Sequence, residues 1–278
     1  MCHLSHKAML VSLSMSCWRA TKLDRDASRQ VCEANSAETD AARVVKRLLS
    51  QKHLSPITRI QTQARTVIYE MTLPWLDNGV RVLPSDLFFP FREKMQELER
   101  AHSKAVAEFL DHYEERLADA RLRLVGLFNP FDFPTRDQVE RKFGMKVSVM
   151  PFPEVDDFRV EQADELREEF EEQARKREAE MVADLAGRIA NIAGEFTCKV
   201  NGGKRFWNSL TDKVSDLAKL VDGLNVTGNP DIAEAGRLLR EIAAVKPDDL
   251  RDDPKAKAEA VGKADLAADK CRDLANIF

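Results

Sequence analysis

Apolar residues recur at steps of three and four over most of the chain, and that period predicts a mainly helical protein. Early helices are predicted over 22–34, 41–50 and 56–71. Their inward positions are Leu23, Ala27 and Val31, then Val44, Val45, Leu48 and Leu49, then Ile57, Ile60, Ala64, Val67 and Ile68. Ser55 followed by Pro56 has the form of an N-cap with proline at the first helical position. A longer pattern starts at Ser85 and carries Phe88, Phe91, Met95, Leu98, His102, Ala105, Phe109, Tyr113, Leu117, Ala120 and Leu124. A rod of about 40 residues would be ~60 Å long at the helical rise. A second long pattern, over 162–200, carries Leu166, Phe170, Ala174, Met181, Leu185, Ile189, Ile192 and Phe196. Two such rods predict an antiparallel helical hairpin with coiled-coil packing. Further helical patterns over 206–224, 229–245 and 256–278 predict a C-terminal bundle, either separate or wrapped back on the second rod.

One stretch has a different period. Val11, Leu13, Met15 and Cys17 alternate with Ser12, Ser14 and Ser16, the pattern of a half-buried strand. Its partner is expected within 146–152, where Val147 and Val149 alternate with Lys146 and Ser148. Phe158 and Val160 around Arg159 add another extended piece. The fold class expected is therefore mainly α, of α+β type, with a two- to three-stranded sheet at the base of the hairpin. Residues 1–8 read as a disordered tail, with translation starting at Met1 or Met9. Residues 9–200 read as the core and 204–278 as a C-terminal helical region, hinged at Asn201, Gly202 and Gly203.

Between the early helices and the first rod lies a turn-rich, apolar connector over 69–84. Pro74 and Pro84 bracket it and disfavour helix at the residues before them. Asn78 and Gly79 supply a turn, Asp77 is expected to bond nearby backbone amides, and Trp75 adds bulk. These residues predict a buried structural corner. A second aromatic cluster, Phe128, Phe131 and Phe133, is expected to pack into the core, with base stacking as the alternative.

Charge changes the picture in one place. The 278 residues carry a formal net charge of -4, which argues against a globally basic nucleic-acid binder. Yet Arg43, Lys46, Arg47, Arg59 and Arg65 fall in a stretch without acidic residues, the best sequence candidate for a phosphate-binding face. Five dispersed cysteines form no CxxC pair, which fits reduced thiols in the cytoplasm. No apolar run is long enough to span a membrane. No phosphate loop, HExxH or GxSxG motif is present. The carboxylates Glu168, Glu169, Glu171 and Glu172 lack a His partner and read as solvated helix surface rather than a metal site. No catalytic residue, metal or cofactor is expected, and an enzyme centred on Asp77 and Arg81 is the minority reading.

Several segments together resemble a known family. They are Leu13 through Trp18, Lys22-Leu23-Asp24, Lys46 through Leu49, Thr72 through Pro84, Leu127 through Pro130 and Asp157 through Val160. The chain is similar over roughly 9–185 to mainly helical proteins of tailed phages and proteobacterial mobile elements that carry a domain of unknown function. Such proteins are encoded near MoxR-type AAA+ ATPases and von Willebrand A-type proteins. The resemblance implies an AAA+ partner and carries over no catalytic residue. The expectation is a non-enzymatic, homo-oligomeric helical scaffold. The alternative is a DNA-binding accessory factor that uses the basic face.

Overall fold

The computed structural model describes residues 4–152, 164–202 and 208–276. It is mainly helical with a small sheet. The first half contains α1 (Leu4–Lys7), β1 (Ala8–Ser16), β2 (Thr21–Asp24), α2 (Arg25–Ala34), β3 (Val44–Arg47) and α3 (Ser55–Met71). Then come β4 (Leu73–Pro74), β5 (Arg81–Pro84), α4 (Phe88–Asp111), α5 (Tyr113–Leu124), α6 (Arg136–Glu140) and β6 (Gly144–Pro151). The last part is helical: α7 (Asp164–Asn201), α8 (Asn208–Leu224), α9 (Pro230–Ala243), α10 (Pro247–Asp252) and α11 (Pro254–Ala275). Among the described residues, no helix is long and apolar enough to cross a membrane. The extended piece expected around Phe158 and Val160 lies outside the described residues, as does Gly203 of the expected hinge.

The strand expected at Val11 is β1, and it lies next to β6 as the alternation predicts. The sheet has four strands, in the order β4-β5-β1-β6, where two or three were expected, because the connector over 73–84 adds two of its own; β2 and β3 form a second, two-stranded sheet. β1 pairs antiparallel with β5, Leu10 opposite Val82 and Val11 opposite Arg81. Because β1 is central, Ala8, Leu10 and Val11 are all buried at its start, and alternation shows only towards Ser14 and Ser16. The disordered tail expected over 1–8 fails from Leu4 onward: Leu4–Lys7 form one helical turn, and Ala8 is already buried.

The corner over 69–84 is a β-hairpin. β4 pairs with β5 through Leu73–Val82 and Pro74–Arg81. Leu76 N–H donates to Val80 O, and Gly79 N–H donates to Leu76 O. Gly79 adopts a φ of 86°, open to glycine at no steric cost. Asn78 Oδ1, rather than Asp77, accepts from the Val80 amide. Pro84 is buried and Pro74 and Trp75 are half-buried, with Trp75 4.7 Å from the Phe152 ring centroid. Asp77, Asn78 and Gly79 are exposed at the tip, so only the base of the corner is buried.

The chain divides into two compact units. One comprises Met1–Leu13, Val67–Glu93 and Ser148–Phe278. There α7 lies along α11, and α8 packs against α9. Met181, Leu185, Ile189, Ala193 and Phe196 form the buried stripe of α7, and Ala260, Ala264 and Ala267 line the buried side of α11. Small residues on α11 let the two helix axes approach closely. The C-terminal helices thus wrap back on the second rod. Arg188 of α7 donates to the carbonyls of Glu70 and Thr72, and Arg81 donates to Thr72 Oγ1 and O, which pins the hairpin.

The other unit comprises Ser14–Thr66 and Lys94–Val147. Its core gathers Trp18, Leu48, Leu49, Ile57, Phe109, Tyr113 and Val139. Three expectations fail here. The helix predicted over 22–34 begins only at Arg25, after β2, and Leu23 and Val31, expected inward, are exposed while Ser28 and Cys32 are buried. The helix predicted over 41–50 is instead β3, paired antiparallel with β2 so that Leu23 opposes Val45 and Lys22 opposes Lys46. The first rod is not continuous, because α4 ends at Asp111 and α5 begins at Tyr113. The break turns Tyr113 into the core against Trp18, and its hydroxyl donates to Pro134 O at 2.7 Å. Arg116 Nη1 donates to Phe109 O at 2.6 Å, the carbonyl that an unbroken helix would pair with the Tyr113 amide.

Candidate interaction surface

The five basic residues of the predicted phosphate-binding face have different surroundings. Lys46 is turned inward, with its side chain only 11% exposed. Its ammonium lies 3.3 Å from Asp24 and 2.5 Å from Asp132, and it donates to Leu127 O at 3.2 Å. Asp132 raises the Lys46 pKa most, against burial, with Asp24 adding to it. Burial pushes the Asp132 carboxyl up, but hydrogen bonds from Lys22 and Lys46 outweigh it and hold the pKa below the usual value. Lys46 is thus a structural cation, neutralised in place.

Arg43, Arg47, Arg59 and Arg65 are exposed and form no ion pair among the described residues. Arg47 and Val45 alternate with Lys46 along β3, so they share the face opposite the ionic cluster. Leu23, the cross-strand partner of Val45, lies on that same face. Arg59 and Arg65 stand on α3. The ribbon β2–β3 therefore shows solvent an apolar pair beside Arg47, while its other face is locked by Lys22, Lys46, Asp24 and Asp132.

What that lock holds is the segment after α5. Of the aromatic cluster expected in the core, Phe133 packs against the core and Phe128 stacks on it at 5.3 Å. Phe131 does the opposite and is 90% exposed. Leu122 and Val125 are 80% and 77% exposed, and Leu127 is also exposed. Asn129 fixes the turn by accepting from the Phe131 amide at 3.0 Å. Arg123 Nη2 donates to the carbonyls of Arg47 and Leu48, fastening the end of α5 to β3. Val125 adopts a φ of 45°, a conformation that costs a β-branched residue roughly 1–3 kcal/mol.

Seven of the thirteen exposed large hydrophobics among the described residues belong to this unit, in 23–45 and 122–131. Four of them, Leu122, Val125, Leu127 and Phe131, fall within one ten-residue stretch. The spacing along α5 gives the sequence no means of seeing it, because Leu122 and Val125 read as ordinary helix residues until the turn after Leu124 is known. Among the described residues, no three His, Cys, Asp or Glu side chains come together as metal ligands. Asp77 stands at the exposed hairpin tip, while Arg81 is engaged with Thr72 and stacks 4.5 Å over the Tyr69 ring, where burial lowers its pKa. The two form no converging pair of ionisable groups.

No curated protein and no solved structure matches the chain. A family model described as a protein of unknown function, DUF3150, matches residues 6–246. That span takes in all of the unit with the ionic lock and the exposed segment around Phe131, and the other unit up to the end of α9, and the chain belongs to the DUF3150 family.

Proposed function

We propose that the chain is a non-enzymatic helical interaction protein that docks macromolecular partners on the segment Leu122, Val125, Leu127 and Phe131. The observation that carries this reading is an exposed apolar segment whose ends are tied by a buried ionic cluster. A loop left mobile would bury such side chains only by collapsing; here Lys46 and Arg123 hold the backbone from below and leave the side chains outward. Preorganisation of that kind lowers the entropic cost of binding. The resemblance to proteins encoded beside AAA+ ATPases in phages and mobile elements makes such an ATPase the first partner to test. Replacing Phe131 with a photo-crosslinking phenylalanine and irradiating the protein in its native cytosol should give a discrete adduct. Its loss on Leu122→Ser, with folding unchanged, supports the reading; equal labelling with and without Leu122→Ser opposes it.

A second reading, DNA binding, rests on Arg43, Arg47, Arg59 and Arg65. All four are exposed, and an antiparallel two-stranded ribbon is among the elements that fit a DNA major groove. Retention on DNA should then weaken with salt and with charge reversal at Arg47 and Arg59. No retention at low salt removes it.

A further inference from the structure

The interaction surface has a charge as well as an apolar character, and the charge selects a partner. From Arg121 to Phe131 the sequence holds two arginines and no acidic residue. The next carboxylate, Asp132, is 6% exposed and spent on Lys22 and Lys46. The unit that bears this surface holds 20 Lys and Arg against 15 Asp and Glu, a formal +5. The rest of the chain holds 23 against 32, a formal -9. A chain with a net charge of only -4 is therefore strongly divided, basic in the unit that bears the Phe131 segment and acidic in the other.

We infer that the occupant of the Phe131 surface is a second copy of this chain, which presents its acidic helical unit. The acidic face assigned to this contact is the start of α7, where Glu168, Glu169 and Glu172 are all exposed within two turns, ahead of the exposed Arg175 and Lys176. The contact joins unlike faces, so it is made twice in a closed pair or repeated around a ring. Its apolar centre is Phe131 with Leu122, and its rim is Arg121 against carboxylates, the usual arrangement of an interface. Electrostatic attraction between the two units speeds and orients the encounter and is screened by salt.

This inference rests on the proposed docking role and names its partner, and the tests separate the two. The full chain is run in sedimentation velocity from low salt to about 0.5 M, where the Debye length falls to a few ångströms. Association at low salt that declines with salt is expected, and Arg121→Glu should reduce it at least tenfold. A mixture of isotopically light and heavy protein carrying the crosslinker at Phe131 is then irradiated and digested. Light–heavy adducts that map to the start of α7 are expected, and they should disappear in the triple variant Glu168→Lys, Glu169→Lys, Glu172→Lys. A chain that stays monomeric at all salt concentrations overturns the inference, as do adducts that map within the basic unit. A monomer whose Phe131 still labels a different protein, dependent on Leu122, leaves the docking role standing and removes only the second copy.

Discussion

Lys46 of β3 holds Asp132 at 2.5 Å, and the same ammonium donates to the carbonyl of Leu127, so one side chain gathers both ends of the segment that presents Phe131. The pair is almost fully buried, and Lys22 and Asp24 complete the cluster. Lys46→Met keeps the aliphatic stem and removes the charge. It leaves Asp132 in the interior with Lys22 as its remaining counter-charge. We expect a loss of about 2–3 kcal/mol, below the full value for an orphaned buried ion because Lys22 stays. Urea denaturation of both proteins measures it. Asp24 and Asp132 both have lowered pKa values, Asp24 chiefly through the Ala27 amide and Asp132 through its two lysines, which outweigh its burial. A carboxyl with a depressed folded pKa stabilises fully above its unfolded value and loses that contribution as pH falls through the folded one. The acid limb of stability below about pH 4 should be shallower in Lys46→Met.

Gln61 and His102 give a second pH dependence, near neutrality. Gln61 Nε2 donates to Ser16 O at 2.9 Å, so this atom is the amide nitrogen and not the oxygen. The same nitrogen is 3.2 Å from His102 Nε2, which must then accept. A protonated imidazole would place two donors face to face. Burial lowers the His102 pKa, so the unfolded chain binds more protons. Stability is complete above about pH 6.5 and is lost as pH falls from there through the lower folded value. Thermal unfolding between pH 7.5 and 5 should show this loss in the wild type, and His102→Gln should reduce it, leaving the share of His53, whose pKa burial also lowers. Identical pH profiles would contradict the assignment.

The path from sequence to structure was clear where a single element's own residues decide. The alternation at Val11 placed β1. The base of the corner followed from Pro74 and Pro84 and its turn from Asn78 and Gly79. It failed where distant packing decides. Nothing local at His112 breaks a helix. The break goes with Tyr113 packing against Trp18 and bonding Pro134, and Arg116 donates to the carbonyl of Phe109. β3 was hidden because four residues do not distinguish helix from strand, although the β-branched pair Val44 and Val45 leaned towards the latter. The candidate basic face was only partly legible. Sequence order showed the charges but not that Asp24 and Asp132 neutralise Lys46.

Close packing between α8 and α9 depends on Gly236. A Cβ there would meet Val221 Cγ1 at 2.7 Å. Val221 is β-branched and stiff in a helix, so it cannot easily move aside. Gly236→Ala should destabilise by about 1–2 kcal/mol, even though alanine favours helix. Adding Val221→Ala should make the alanine at 236 nearly neutral or stabilising. A double-mutant cycle with no coupling would show that the two helices do not meet there.

At Val125, stability and interaction should move in opposite directions. Val125→Gly relieves the positive φ and should raise stability by about 1 kcal/mol. It also removes an exposed apolar side chain from the docking segment, so partner binding should weaken. A glycine variant with stronger binding, or with lower stability, would contradict the role given to this turn.

The central claim is that the protein acts by holding partners on the segment around Phe131. Its most direct test is the native mass of the complex in gently lysed cells, compared between wild type and the double variant Phe131→Ser, Leu122→Ser. Both sites are largely exposed, so the variant's melting temperature should stay within a few degrees of the wild type. The account expects the wild type in an assembly larger than one chain and the variant at the mass of the monomer. Equal masses for the two proteins, with both folded, would contradict it.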